Sequence, residues 1–436
     1  GRVSEALRKS GGAVTIVVDA VNQLEGADGD FTHFTAEARN QDGPAAQGLE
    51  VAATASASSP AQALQWLPMT LPACIHVVLS VVPGATLDTL RARTEALVEV
   101  ELSPLSAEES SEIVTNLLGM HNKLLDTAQK ALLVSKPGAA SPLWLAVAAE
   151  ELRVFGVFET VTEKIQGLGH GVPDLMSQVF DRLERQHTLP LVRSSTCLIL
   201  CSHHGLLETE MTRILASESL VAVQEGLPPP LPEQWASLVH DLDFCLQKGL
   251  SVKEGILAFF HGQAAVAVAD RYVGFAGAKF EVFREAIVDH FQAVIRGRGA
   301  EKEEDSGEDD VSRAAEELPH QLRSLQVTAR LRLCVSHPAI VAHLYSSDSK
   351  RVALLDLWRD AGGYDAVVPA AEGGGDPEFA TQREVEERAM GLDCGSLCTE
   401  ALLRDPERCQ SFEVLAAVGS FLSDVAFYGA ASNVLH

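Results

Sequence analysis

Apolar residues in this chain change period along its length. Residues 13–18 form a short β-branched run after Gly11-Gly12, the pattern of a buried parallel strand. Residues 75–82 read as a second apolar strand and 97–102 as a third short one, a set that suits a doubly wound sheet. Between the first two strands, 25–63 is rich in Ala, Ser, Gly and Asp and reads as a surface insertion. From Ser103 the period lengthens to that of helices, predicted over 107–119, 122–135, 141–155 and 158–166. Ser106 followed by Glu108 and Glu109 gives the first of these a cap and an acidic first turn. The Lys136-Pro137-Gly138 break separates the second from the third.

Further along, Gly205-Leu206-Leu207-Glu208-Thr209-Glu210-Met211 reads as a turn followed by an amphipathic helix. Leu257-Ala258-Phe259-Phe260-His261 reads as a short apolar strand ending in histidine. Several helices followed by such a wing give the order of a winged-helix domain. Residues 275–295 form another amphipathic helix. Helical pattern resumes over 311–364, with breaks expected at Pro319, Pro338 and Gly362-Gly363, and again over 381–390 and 410–435. The last segment spaces small and aromatic residues as a tetratricopeptide helix pair does, a weak signal from one copy.

Composition narrows the function class. The formal net charge is −26, which argues against nucleic-acid and anionic-membrane surfaces, since these require Lys/Arg clusters. Seven acidic residues and one lysine occupy 301–310, the mark of a solvated linker. The eight cysteines are scattered with no C-x-x-C pair, which indicates free thiols in a reducing compartment. No apolar run reaches the roughly 20 residues that a transmembrane helix needs. At 436 residues the chain has room for about three domains.

The chemistry suggested by the sequence starts at Ile16-Val17-Val18-Asp19. A carboxylate at the end of a buried strand is suited to hold Mg²⁺ through water; capping a turn is the plainer role. No phosphate loop of the form G-x-x-x-x-G-K-[ST] occurs, and because the chain opens at Gly1, that loop is expected upstream of residue 1. Cys197, Cys201, His203 and His204 are the nearest approach to a zinc cluster, but their spacing fits no closed zinc site. Neither G-x-S-x-G nor H-E-x-x-H is present, so hydrolase readings lack support.

Seven stretches, in collinear order, resemble one family. Ile16-Val17-Val18-Asp19-Ala20-Val21-Asn22-Gln23-Leu24 resembles a Walker B strand. Trp66-Leu67-Pro68 with His76-Val77-Val78-Leu79-Ser80, Ser141-Pro142-Leu143-Trp144-Leu145 with Glu150-Glu151-Leu152-Arg153-Val154-Phe155-Gly156, and the Gly205 turn follow in the family's order. So do Phe260-His261 with Asp270-Arg271-Tyr272, Glu316-Glu317-Leu318-Pro319-His320-Gln321-Leu322, and Leu344-Tyr345 with Leu354-Leu355-Asp356-Leu357-Trp358. Together they resemble the NACHT-type signal-transduction (STAND) NTPases followed by tetratricopeptide repeats.

The resemblance implies an α/β part followed by a mainly α part. Residues 1–102 would be the C-terminal half of a P-loop NTPase core, 103–170 a helical lid and 171–275 a winged helix. A helix over 276–300, an acidic linker over 301–312, a helical connector over 313–375 and tetratricopeptide-like helices over 376–436 would complete the chain. It also implies a nucleotide site of Asp19, Ser80, Pro142 and His261, with Mg²⁺ on Asp19 and ATP or ADP as the ligand. Each of these residues has a plainer role too: a strand-end serine, a helix-N1 proline behind the Ser141 cap, and a packed histidine. Asn22 stands where the family has its second acid and, being an amide, cannot take a proton from water. No Arg or Lys follows Ser80. The resulting expectation is a protein-binding scaffold with weak or absent hydrolysis and no assigned catalytic residue, in a cytoplasmic, ciliary or cytoskeletal assembly, binding neither nucleic acid nor membrane. The alternative is a competent ATP-switched ATPase.

Overall fold

A computed structural model describes residues 13–19, 21, 64, 67–93, 97–217, 220, 231–248, 255–273, 280–297, 307–367, 382–404 and 411–435. The chain divides into two compact units, Gly1–Ser106 and Ala107–His436. The expected insertion at 25–63, apart from residue 64 at its edge, and Asn22 lie outside the described residues.

In the first unit, β1 (Val14–Val18) pairs in parallel with β2 (Ile75–Leu79), in register from Val14 opposite Ile75 to Val18 opposite Leu79. Helix α1 (Ala85–Arg93) follows. Val21, Leu64 and Leu90 form a small core, with Val18, Leu67, Leu79 and Val81 packed on it. The expected burial of β1 is corrected here. Ile16 is 44%, Val17 70% and Val78 52% exposed. A parallel strand is buried on both faces only when strands and helices flank it, and the described residues supply one partner strand and one helix. The expected third strand at 97–102 does not form either. Val98, Val100 and Leu102 are exposed and no strand among the described residues pairs with this backbone, because alternating Val and Glu make a strand only beside a partner.

The second unit is mostly helical. Helix α2 (Ala107–Gly119) starts and ends where the pattern predicts. Helix α3 (Thr127–Val134) begins at a capping box, in which the Gln129 N–H donates to Asp126 at 2.7 Å and the Gln129 side chain accepts from the Asp126 N–H at 3.1 Å. The expected start at 122 is thus five residues early. A 3₁₀ turn at Pro137–Ala140 leads into α4 (Pro142–Val154), and α5 (Val161–Gly167) follows. Two longer helices pack next, α6 (Val172–His187) and α7 (Leu189–Cys201), the latter buried along nearly its whole length. Glu151 of α4 is 1% exposed and its charge is met by Lys164 and Arg182, each at 2.8 Å.

After α7 come β3 (Leu206–Leu207), α8 (Glu208–Leu215), α9 (Pro232–Leu242), β4 (Leu246–Lys248) and β5 (Ile256–Phe259). The three strands form an antiparallel sheet in the order β3–β5–β4. Gly205 enters it at φ +79°, and a Cβ there would lie 2.6 Å from the Leu257 carbonyl oxygen, so the close approach requires glycine. Helix α10 (Gly262–Val268) and a π turn (Ala269–Val273) follow. The turn is pinned to α6 by Arg271, which meets Glu184 at 2.6 Å and Asp181 at 2.5 Å.

The remainder is helix after helix: α11 (Phe280–Ile295), α12 (Gly307–Ser324), α13 (Thr328–Val335), α14 (Pro338–Leu344), α15 (Asp348–Asp360), α16 (Gln382–Met390), α17 (Cys394–Arg404), α18 (Phe412–Asp424) and α19 (Tyr428–Leu435). Two expectations are corrected. The acidic linker over 301–312 overlaps α12: residues 307–312 are helical and 301–306 lie outside the described residues. Pro319 does not break α12. The seam of Ala314, Ala315, Leu318 and Leu322 is buried, and that packing outweighs the roughly 3 kcal/mol cost of an interior proline. Pro338 does mark a break, at the first position of α14.

Candidate functional site

Parallel strands present their C-terminal ends as a ledge, and ligands of open α/β sheets bind there. With Val18 opposite Leu79, the next residues on the two strands are Asp19 and Ser80. Their backbones stay linked past the strand ends: the Ser80 N–H donates to Val18 and the Val21 N–H to Ser80, each at 3.0 Å. The Ser80 hydroxyl donates to the Asp19 carboxylate. Both side chains are exposed. The structure therefore brings two of the four candidate residues together, as an oriented carboxylate with a hydroxyl beside it. Such a pair fits a hydrated Mg²⁺ ion, because Asp19 keeps lone pairs free for bound water. Val81 turns into the small core, so the position after Ser80 supplies no cation.

Pro142 and His261 belong to the second unit. Pro142 occupies the first position of α4, behind Ser141, whose hydroxyl accepts from the Trp144 N–H at 3.5 Å. The Trp144 ring is buried beneath it and donates to the Gly169 carbonyl at 3.0 Å. His261 precedes α10 and meets Phe260 edge-on, with ring centroids 4.5 Å apart. Partial desolvation lowers its pKa, so the imidazole is neutral near pH 7.

Cys197 and Cys201 are buried in α7, and burial pushes their thiols up, Cys201 to about 12. Protonated buried thiols are poor ligands. His203 stacks instead on His320 and lies tilted against His204, with centroids 4.2 and 3.8 Å apart. Among the described residues, no group of three or more His, Cys, Asp or Glu side chains is arranged to hold a metal.

Around those histidines lies a buried polar layer that the sequence reading does not assign. Glu317 accepts from the His203 N–H at 2.9 Å and from the Gln321 amide at 2.7 Å. Gln321 also donates to the Cys201 carbonyl at 2.7 Å and accepts from Arg284 at 2.9 Å. Arg313 holds Glu210 at 2.6 Å and the Gly205 carbonyl at 2.9 Å. The layer joins α12 to the turn before β3. A signal for it existed: Glu317, His320 and Gln321 lie within one of the recurring stretches, spaced as neighbours on one helix face.

Comparison with known proteins finds several relatives. Over 226 residues, 49% of its length, the chain is 30% identical to NACHT domain- and WD repeat-containing protein 1 of Homo sapiens. It is 26% identical over 224 residues, 48% of its length, to telomerase protein component 1 of Rattus norvegicus. Over 303 residues, 68% of its length, it is 22% identical to a TPR repeat-containing protein of Dictyostelium discoideum. It spans 14%, 8% and 16% of those three proteins, respectively. No family model matches the chain, and no solved structure matches it. Its homologues thus include NACHT-bearing and repeat-bearing proteins.

Proposed function

We propose that this chain is part of a protein-interaction scaffold built on a NACHT-type NTPase fold, with weak or absent hydrolysis. The observation that carries this reading is the Asp19–Ser80 pair at adjoining strand ends, in a chain whose relatives carry NACHT domains and TPR repeats. Asp19 would hold Mg²⁺ through water, and the ion would neutralise the phosphates of ATP or ADP. Ser80 would orient the carboxylate. The family resemblance would assign Pro142 to the base and His261 to the phosphates. What the chain lacks is activation of water: Asn22 is an amide, and Val81 is packed in the core.

The helices of the second unit supply the surface for protein partners. The sheet order β3–β5–β4 after α6 and α7 supports a winged-helix domain, and the consecutive helix pairs α13–α14 and α18–α19 support a repeat-like build. No helix among the described residues is long and apolar enough to cross a membrane. The ciliary or axonemal setting is proposed from the resemblance of the motif order to the NACHT-type family alone.

The test uses the purified full-length protein. Titration with a fluorescent ADP and Mg²⁺ should show binding that weakens at least tenfold in Asp19→Ala, while ATP turnover stays at background. Robust turnover abolished by Asp19→Ala would replace this reading with the second one, an ATP-switched ATPase whose phosphate loop lies upstream of residue 1. Absence of any nucleotide binding would reduce the fold to a structural support.

A further inference from the structure

A cleft of about 390 Å³ opens among α11, α12, α13, α14, α16 and α17, in a part of the chain that the nucleotide reading does not use. Leu318, Leu333, Ile340, Val385 and Leu397 give it an apolar floor, and Arg296, Arg330 and Arg404 stand among its lining residues. Arg330 meets Glu285 with both contacts at 2.8 Å, yet its buried Nε donates to no group among the described residues. Arg404 shares Glu400 with Arg388. Arg296, at the end of α11, is exposed and makes no ion pair among the described residues. Three guanidiniums and one carboxylate, that of Glu400, therefore line the cleft, in a chain whose net charge is −26.

An apolar floor with a cationic surplus selects an anion that carries an apolar group. Arginine forks suit carboxylates, which they hold with two parallel hydrogen bonds. No Phe, Tyr or Trp among the described residues lines the cleft, and His337 is its one ring, so it offers a poor stacking platform for a nucleotide base. Its volume lies near the lower end of ligand cavities, about 300 Å³, which suits one or two side chains rather than a long acyl chain.

We propose that this cleft docks an acidic peptide segment of a partner protein, seating one large aliphatic side chain on the half-buried Leu333 and Val385 and its carboxylates against Arg296, Arg330 and Arg404. This inference is independent of nucleotide binding. The exposed Arg296 guanidinium is the donor left for the incoming carboxylates.

The experiment is fluorescence anisotropy with labelled hexapeptides. Each peptide has two acidic positions and one apolar position, the latter varied through Leu, Ile, Val, Met and Phe. Each has a partner in which Asn and Gln replace the acids. We expect at least one aliphatic acidic peptide to bind at least tenfold more tightly than its amide partner, with affinity falling as salt rises. Arg296→Ala and Arg404→Ala should each weaken it at least fivefold. Arg383→Ala, an exposed change on α16 at a residue that does not line the cleft, should leave it unchanged. Circular dichroism checks that each variant is folded, and Arg296, being exposed, is the safer of the two. The proposal is overturned if no acidic peptide outbinds its amide partner, if binding ignores both arginine changes, or if ADP or an oligonucleotide competes for these arginines more tightly than any peptide.

Discussion

Arg332 offers the sharpest test of how the second unit holds together. Its side chain is fully enclosed, and no carboxylate is bonded to it. Backbone carbonyls take all of its donors. Nε bonds Ala389 at 3.1 Å, one terminal nitrogen bonds Ala361 at 3.3 Å and Gly363 at 2.6 Å, and the other bonds Asp365 at 2.6 Å and Leu392 at 2.8 Å. The guanidinium also lies 5.3 Å from the centre of the Trp358 ring. Burial lowers its pKa, but an arginine remains charged at any working pH. Arg332→Met keeps the apolar stem and removes five bonds, each worth about 1.5–3 kcal/mol when a charge takes part. Most of that sum is offset, because the cost of burying the charge, several kcal/mol, disappears with it. The carbonyls left without donors set the net loss, which should be about 3–5 kcal/mol. Arg332→Lys keeps the charge but offers three donors without the fork, so it should recover less than half of the loss. Urea unfolding measures the stability. Hydrogen exchange locates the damage at the Val367 N–H, which bonds Met390 at 2.8 Å, and at the Cys394 N–H, which bonds Tyr364 at 2.8 Å. An Arg332→Met protein within 1 kcal/mol of the parent, with those two amides still protected, would refute the reasoning.

Acid should loosen the unit as well. Burial pushes the His290 pKa down to about 4 and that of His320 to about 2. Glu210, Arg213 and Arg313 face His290, while His203, His204, Arg284 and Arg323 face His320. Both rings are neutral when folded, whereas the unfolded value is near 6.5. Their contribution is therefore complete above pH 6.5 and is lost as pH falls below it, at no more than about 1.4 kcal/mol per pH unit for each ring. Between pH 7 and 5 the loss should be on the order of 2–4 kcal/mol. Below about pH 4.5, protonation of Glu316, held near 2 by His343 and Lys350, adds to it. Glu317 opposes this trend, since burial raises its pKa and its penalty grows as pH rises. A melting temperature that is flat from pH 7 to 5 would contradict this account. Gly138→Ala should cost about 2–4 kcal/mol, because the new Cβ would lie 2.4 Å from the Trp144 ring and 2.6 Å from the His170 carbonyl oxygen. A thermal shift of under 2 °C would argue that the 3₁₀ turn relaxes freely.

The elements most legible in the sequence are those whose causes are local. Helix α2 is recoverable to the residue because an apolar stripe and an acidic first turn lie within one stretch. Helix α4 is recoverable because Ser141-Pro142 is a cap followed by an N1 proline. Asp19 and Ser80 are legible singly, as polar residues that end apolar runs. Their hydrogen bond depends on parallel pairing across 61 positions. Failures come where a distant partner decides. Residues 97–102 have the alternation of a strand, but pairing belongs to the neighbour and not to the segment. Pro319 has the local chemistry of a break, but the buried seam of α12 overrides it. Arg332 looks like any arginine on a short amphipathic helix, since every carbonyl that holds it lies 29 or more residues onward.

The same long reach describes where this chain places its buried polar groups. Glu210–Arg313, Glu317–His203, Gln321–Cys201 and Arg332 with its carbonyls all join segments remote in sequence. The helices around them are rich in Ala, Leu and Val, and such surfaces pack acceptably in more than one register. A hydrogen bond to a particular carbonyl tolerates little sliding, so each polar junction fixes a helix against its neighbour at one setting. Where both partners are side chains, as at Glu210–Arg313, apolar residues of similar volume could be as stable or more so. Stability alone therefore does not account for the Glu210–Arg313 junction, whereas a fixed helix register does, and the proposed scaffold would need that register. Exchanging Glu210 and Arg313 together for Leu and Met separates the two accounts. A stability account predicts a large loss on unfolding in urea. The scaffold account predicts little loss, with faster hydrogen exchange along α12 and in the 202–207 turn as their register loosens.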